Sequence, residues 1–392
     1  MAITPTYAYA NAVFTPKHNS LVKPAPTQTL RVSVPPALAA MVAQSAFAGK
    51  YLYDGLSGED KARVAIINAF TNSTAKFLDE YQIIRIVGFG SNGVVLAARN
   101  SRGDGVAVKI VYKEKVSTKV ARSPSEIEVL QHLSEEPSEY LLNMAEHWED
   151  AYHHYLVTDL FGSDWFQSTD AVSESMKPLV FKTRDSTRTQ VHEYLFSAGS
   201  SDLWSWQHAH RSFMVASEGH GLLPLEPVRQ LVKQAGLGLQ SMHSRGFYHG
   251  DVKVENILVQ SGLRAKMADF GHSKHASLGI AHYGTAELQG PEFMADTPFA
   301  QGHVDGRASD VFALGMVLYM LLSEDGRLPK TVYDSNAGYE SLLASAAGCY
   351  PFDAIADVDS SDQVWSLLNG MCRVDPAQRL TIDQVLSHPW FA

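Results

Sequence analysis

Cysteine is almost absent from this 392-residue chain: Cys349 and Cys372 are the only two, and they form no CxxC spacing. That scarcity excludes a disulfide framework and a cysteine-based zinc site, and it fits a reducing intracellular compartment, cytoplasmic or nuclear. A basic surplus is also lacking, since 32 Lys and Arg stand against 42 Asp and Glu for a net charge of -10. General binding to nucleic acid or to an anionic membrane is thereby disfavoured. No apolar run is long enough to span a bilayer; the longest, Val311 to Leu322, reads as a buried core helix. The first residues lack the charged and apolar regions of a signal peptide. No acidic residue precedes Asp54, but arginine there is too sparse for a transit peptide. Internal repeats are missing as well. His243, His249, His272, His275 and His282 are irregularly spaced with no cysteine among them, which reads as solvated or core histidines rather than a metal cluster.

What is present is ordinary globular composition, 45% hydrophobic and 19% charged, in a chain long enough for a two-lobed enzyme or two domains. Residues 1–55, rich in Ala, Pro and Thr without sustained periodicity, read as a flexible tail. A helical extension is expected over 56–80, where Val64, Ile67, Phe70 and Phe77 form a partial apolar stripe. Strand-like runs follow in YQIIRIVGFG, NGVVLAARN and GVAVKIVY, then a helix from Ser123 to Leu133 with Pro124 in its first turn, then a strand at 155–161. Residues 167–222 break the pattern with many Ser, His and Thr, and read as an insertion that is functional or disordered. Pro227 opens a long helix whose Val228, Leu231, Val232, Ala235, Leu239 and Met242 share one face. Strands early and helices late make an α+β chain, with a small sheet-rich lobe and a larger helical one.

Four segments carry chemistry. Val87, Gly88, Phe89, Gly90, Ser91, Asn92, Gly93, Val94 and Val95 form a GxGxxGxV loop between strand signals. Glycines there let backbone N–H groups approach phosphate oxygens. A plain hairpin turn is the bland alternative, while a dinucleotide fold is disfavoured because a strand, not a helix, follows. Lys109 ends the apolar strand Val106-Ala107-Val108 and could hold phosphate if a carboxylate positions its amine. Glu126 is the preferred partner; Glu128 competes, and Ser123-Pro124-Ser125-Glu126 also reads as a capping box. The segment Tyr248-His249-Gly250-Asp251-Val252-Lys253-Val254-Glu255-Asn256 follows the long helix and precedes Asp269-Phe270-Gly271. Asp251 can accept the proton of an attacking hydroxyl, Lys253 can offset charge on a transferred phosphoryl group, and Asn256 and Asp269 are oxygen donors suited to Mg²⁺.

This set in this order resembles the eukaryotic protein kinase family of the serine/threonine type, over residues 81–391. The resemblance implies a bilobal protein kinase fold, ATP and Mg²⁺, and protein substrates. It makes Lys109 the strand lysine on the phosphates with Glu126 as its partner, Asp251 the catalytic base, and Asn256 and Asp269 the metal ligands. It places Val95, Ala107 and Leu258 about the adenine, Asp159-Leu160-Phe161 as the hinge behind the gatekeeper Thr158, and Asp164 near the ribose. Gly284-Thr285 and Gly290-Pro291-Glu292 resemble the substrate-side loop and its end mark, and Arg379 would pair with Glu292. Asp310 matches the aspartate that fixes the catalytic loop. Lys253 and Thr285 imply serine/threonine specificity. Gly250 departs from the family, which usually has arginine there (HGD in place of HRD), so regulation through a loop phosphate is expected to differ. The rivals are a pseudokinase scaffold that binds ATP without efficient transfer, and a kinase of small molecules or lipids. None of the lysine, base or metal-ligand positions is missing, which disfavours the first; Thr285 and Pro291-Glu292 disfavour the second.

Overall fold

A computed structural model describes residues 53, 55–73, 76–90, 92–113, 125–165, 179–184, 189–194, 201–278, 285–293, 305–328, 348, 350, 352, 355 and 362–392. Helix α1 (Gly58–Asn72) starts at Ser57, whose hydroxyl accepts from the Asp60 N–H. Glu59 and Asp60 in its first turn suit the positive end of the helix dipole. Ala62, Ala65, Ile66, Ala69 and Phe70, spaced by three and four, turn its apolar face inward. A short turn, Lys76–Glu80, leads into the sheet.

Strands β1 (Tyr81–Phe89), β2 (Gly93–Asn100), β3 (Gly105–Tyr112), β4 (Met144–Glu149) and β5 (His153–Asp159) form one five-stranded antiparallel sheet in the order β1-β2-β3-β5-β4. Helix α2 (Ser125–Glu135) lies between β3 and β4 in sequence. Beyond β5 comes the hairpin β6 (Leu179–Arg184) and β7 (Thr189–Tyr194), then the helices α3 (Leu203–Glu218) and α4 (Leu225–His243). Helix α4 begins two residues ahead of Pro227, which sits in its first turn where a missing N–H costs nothing. The six expected positions of its apolar face are all buried. Short strands β8 (Phe247–Tyr248), β9 (Ile257–Gln260), β10 (Arg264–Met267) and β11 (Lys274–His275) frame the next loops. Helices α5 (Gly306–Leu322), α6 (Gln363–Met371) and α7 (Ile382–Leu386) complete the order. Helix α5 is buried nearly all round, as its unbroken apolar run requires.

Two separate apolar cores result, one under the sheet and one among the helices. Two expectations change. Of the supposed tail 1–55, only Tyr53 and Gly55 fall among the described residues, and Tyr53 is not loose. Its ring is 1% exposed, stacks on Tyr112 at 4.4 Å, and its hydroxyl bonds to buried His153. The stretch 167–222 is not one insertion without structure. Leu179, Phe181 and Tyr194 of the hairpin join the sheet's core beside Phe70, whereas Leu203 and Trp206 of α3 belong to the helical core. The buried apolar residues described in this stretch are faces of elements docked on different lobes.

Candidate active site

Between the sheet and the helical lobe lies a cleft of about 490 Å³, within the size of small-molecule sites. Val87, Gly88, Phe89, Gly90, Asn92, Gly93, Val95, Ala107, Lys109, Asp159, Phe161, Asp164, Leu258, Asn256 and Asp269 all line it, as does Glu126. Ser91 lies outside the described residues. The glycine loop closes through the Gly90 N–H bonded to the Gly93 carbonyl at 2.9 Å. A Cβ on Gly93 would run into the Ile110 carbonyl, so only glycine fits there; at Gly88 and Gly90 no protein atom stands within 4 Å of that place.

Strand pairing sets Lys109 between Val95 and Leu156. Its amine meets Glu126 at 2.7 Å and Asp269 at 3.0 Å. Glu126 is buried and Glu128 is exposed, so the geometry chooses between the two carboxylates. Ser123 and Pro124, on which the capping-box reading leaned, lie outside the described residues. Burial pulls Lys109 down, but Glu126 and Asp269 outweigh it and hold the amine above its ordinary value. The Lys109 charge, opposed by burial, draws the Asp269 carboxyl down to about 2. Asp269 sits at φ 58, a left-handed backbone that non-glycine residues take only when their surroundings hold them there.

The loop after β8 is fixed by backbone contacts. Asp310, almost fully buried on α5, accepts from the His249 N–H at 2.7 Å and the Gly250 N–H at 2.9 Å, and bonds to His243 Nε2 at 2.9 Å. Asp251 next to it is 5% exposed. Its Oδ1 accepts from the Thr285 N–H at 2.9 Å and hydroxyl at 3.0 Å, while Oδ2 meets Lys253 at 2.7 Å and the Asn256 amide at 3.0 Å. Burial alone would raise its pKa; Lys253 and Thr285 reverse that and keep Asp251 ionised. Asn256 spends both amide hydrogens on Asp251, which leaves its oxygen as the atom able to bind a cation.

With the cleft described, the comparison with known proteins is decisive. The family model of the protein kinase domain matches residues 81–199 and 207–391. The chain belongs to the protein kinase family. It is similar to the protein kinase kin1 of Schizosaccharomyces pombe, 25% identical over 80% of this chain and 31% of kin1. It is also similar to the serine/threonine-protein kinase ksg1 of the same yeast, 32% identical over 38% of this chain and 26% of ksg1. The probable serine/threonine-protein kinase KCC4 of Saccharomyces cerevisiae is 32% identical over 43% of this chain and 16% of KCC4. The chain thus spans less than a third of the length of each of these relatives. Among the described residues, no helix of this kinase chain is long and apolar enough to cross a membrane.

Within the kinase fold two further features stand out. Glu292 and Arg379 form a fully buried, two-pronged ion pair at 2.6 and 2.5 Å, and Ser309 donates to the same carboxylate at 2.6 Å. Gly250 has φ +80, and a Cβ there would stand 2.7 Å from the His272 carbonyl oxygen, so the glycine suits its backbone. The structure also adds two residues that the sequence reading missed. Arg85 lines the cleft and pairs with Asp164 at 3.3 Å across its mouth. Asp202 lines the cleft too, and its carboxylate caps α3 by accepting from the Ser205 N–H at 2.7 Å. The string GSSDLWSW around Asp202 resembles a hinge sequence and was the available signal; the stretch from Gly162 to it hides their contact in space.

Proposed function

We propose that this chain transfers the γ-phosphoryl group of Mg-ATP to serine and threonine hydroxyls of protein substrates. The observation that carries this is the joint placement of Lys109, Glu126 and Asp269 in the cleft with Asp251, Lys253, Asn256 and Thr285 bonded to one another beside it. The serine/threonine kinases among its relatives point the same way. The donor set fits the nucleotide: an amine held by two carboxylates, open space at Gly88 and Gly90, and the Asp269 carboxylate and Asn256 amide oxygen for a hard cation. Bound Mg²⁺ would neutralise phosphate charge.

The protein's own part is mostly placement. Lys109, held by Glu126, orients the phosphates. Asp251, ionised and pinned by Thr285, takes the proton of the attacking hydroxyl as its oxygen bonds to the γ-phosphorus and the bond to ADP breaks. Lys253 faces the charge that develops on the transferred group. Gly250 has no side chain with which to bind a loop phosphate, so activity is independent of phosphorylation between Asp269 and Glu292. The test is the full chain, treated with phosphatase and confirmed unmodified by mass spectrometry, assayed with labelled Mg-ATP and a degenerate peptide library. Transfer to serine and threonine peptides is expected. Tight nucleotide binding without transfer would assign the pseudokinase role instead, and transfer only after rephosphorylation would overturn the regulatory reading.

A further inference from the structure

The glycine loop follows β1, an edge strand of the sheet with a bonded neighbour on one side only. Loops so supported open easily unless something else holds them. Here the near flank has a contact outside the ladder, and the far flank continues the β2–β3 ladder by one bond to a residue that is itself braced. On the near flank the Phe89 ring packs on the small-lobe core, 3.4 Å from where a Cβ on Gly58 would stand. On the far flank the Asn92 carbonyl accepts from the Tyr112 N–H at 2.9 Å. Tyr112 carries the stacked ring of Tyr53, and Tyr53 is anchored through its hydroxyl to His153. Gly58 therefore reaches one side of the loop directly, and Tyr53 reaches the other through Tyr112. Phosphate binding by backbone N–H groups does not itself require either contact.

The geometry points to Tyr53 and Phe89 as positioning residues for phosphoryl transfer, with Tyr53 and the first residue of α1 pinning the glycine loop over the nucleotide. This rests on the reading of the cleft as a nucleotide site. Pinning a loop in its bound arrangement removes an ordering cost from binding, so it acts mainly on nucleotide affinity. In the full chain, Phe89→Ala is expected to raise KM for Mg-ATP about tenfold while kcat falls less than about threefold. Phe89→Leu, which refills the space, recovers most of the loss. Tyr53→Ala acts in the same direction and Tyr53→Phe, which keeps the stack, less so. Gly58 is exposed, so Gly58→Ile crowds the Phe89 ring without entering the core and raises KM as well.

A second readout needs no nucleotide. Hydrogen exchange of the Gly90 amide, bonded to the Gly93 carbonyl, is expected to quicken about tenfold in Phe89→Ala and in Tyr53→Ala as the loop opens more often. Folded variants with unchanged KM and unchanged exchange would overturn the assignment, whatever happens to their thermal midpoint. A wild-type chain that binds no nucleotide would overturn the proposed function, and the exchange comparison would still decide the pinning.

Discussion

The two lobes are held together by different means. The helical lobe builds its core mainly from its long helices, with α2, β5 and the short strands β9 and β10 added, and secures its loops with buried polar clamps. Asp310 gathers two backbone N–H groups and His243. Arg211 on α3 donates to the carbonyls of Gly221, Met320, Leu321, Ser323 and Glu324, closing the end of α5. The sheet lobe is completed with aromatic rings from outside the sheet. Tyr53, Phe70 and Phe77 come from the N-terminal side, and Phe181 and Tyr194 from the hairpin beyond β5. On the proposed function, the clamped half carries Asp251 and Lys253 for the transfer, and the half built from added parts carries Lys109 and the glycine loop for the phosphates. Chemistry and grip should therefore fail separately.

Asp251→Asn tests the first half most severely. Turnover is expected to fall by roughly 10²–10⁴, the worth of a positioned general base, while calorimetry shows ATP binding close to wild type. Comparable losses in both would erase the division between lobes. Next comes Arg379→Ala, which strands Glu292 in a site where both partners are 0% exposed. The expected cost is about 3–5 kcal/mol, read as a lower urea midpoint with unchanged slope. A cost under about 1 kcal/mol would mean that the pair behaves like a surface salt bridge.

The sheet lobe is addressed by Phe181→Ala, which empties a site against Phe70, His192 and Tyr194. A loss of about 3 kcal/mol is expected, the lower end for a buried phenylalanine, with KM for ATP rising more than kcat falls. No change in stability would show that the hairpin only rests on the lobe.

The smallest effect concerns acid. The Asp269 carboxyl is held at about 2, below an ordinary value of about 4. Its folded pKa is depressed, so it adds stability above pH ~4 and loses it as pH falls from ~4 towards 2. Asp269→Asn should flatten the acid limb of stability in that window by a modest amount, since the side chain is 47% exposed and solvent screens the pair. An identical acid limb in both proteins would rule out that contribution.

Much of this was legible in the sequence because kinase chemistry is written in local strings. The glycine loop, Lys109 on its strand and the run from Tyr248 to Asn256 each declare themselves within a few residues, and α4 and α5 follow from apolar periodicity. Residues two apart on a helix face different ways, so the sequence allowed only one of Glu126 and Glu128 to meet Lys109, and the burial of Glu126 makes the choice. What stayed hidden was long-range. Tyr53 sits in an Ala- and Pro-rich stretch with no period to mark it, and its partners Tyr112 and His153 are far along the chain. Phe181 and Tyr194 alternate correctly for a strand, but nothing in the alternation says which lobe the strand joins. Asp202 was missed because the contact that brings its stretch to the cleft, Gly162 against Ser201, joins residues distant in sequence.

That last contact has a mechanical consequence. Ser163 donates its N–H to the Val259 carbonyl, and Val259 donates its own to Ser201, so the chain departs from and rejoins the same residue of β9. Between those two points the hairpin β6–β7 goes back to pack on the sheet lobe. One residue of β9 therefore acts as a rivet through two distant stretches: Val259 holds both the chain that leaves β5 and the chain that enters α3, so any displacement of β9 is passed to both at once.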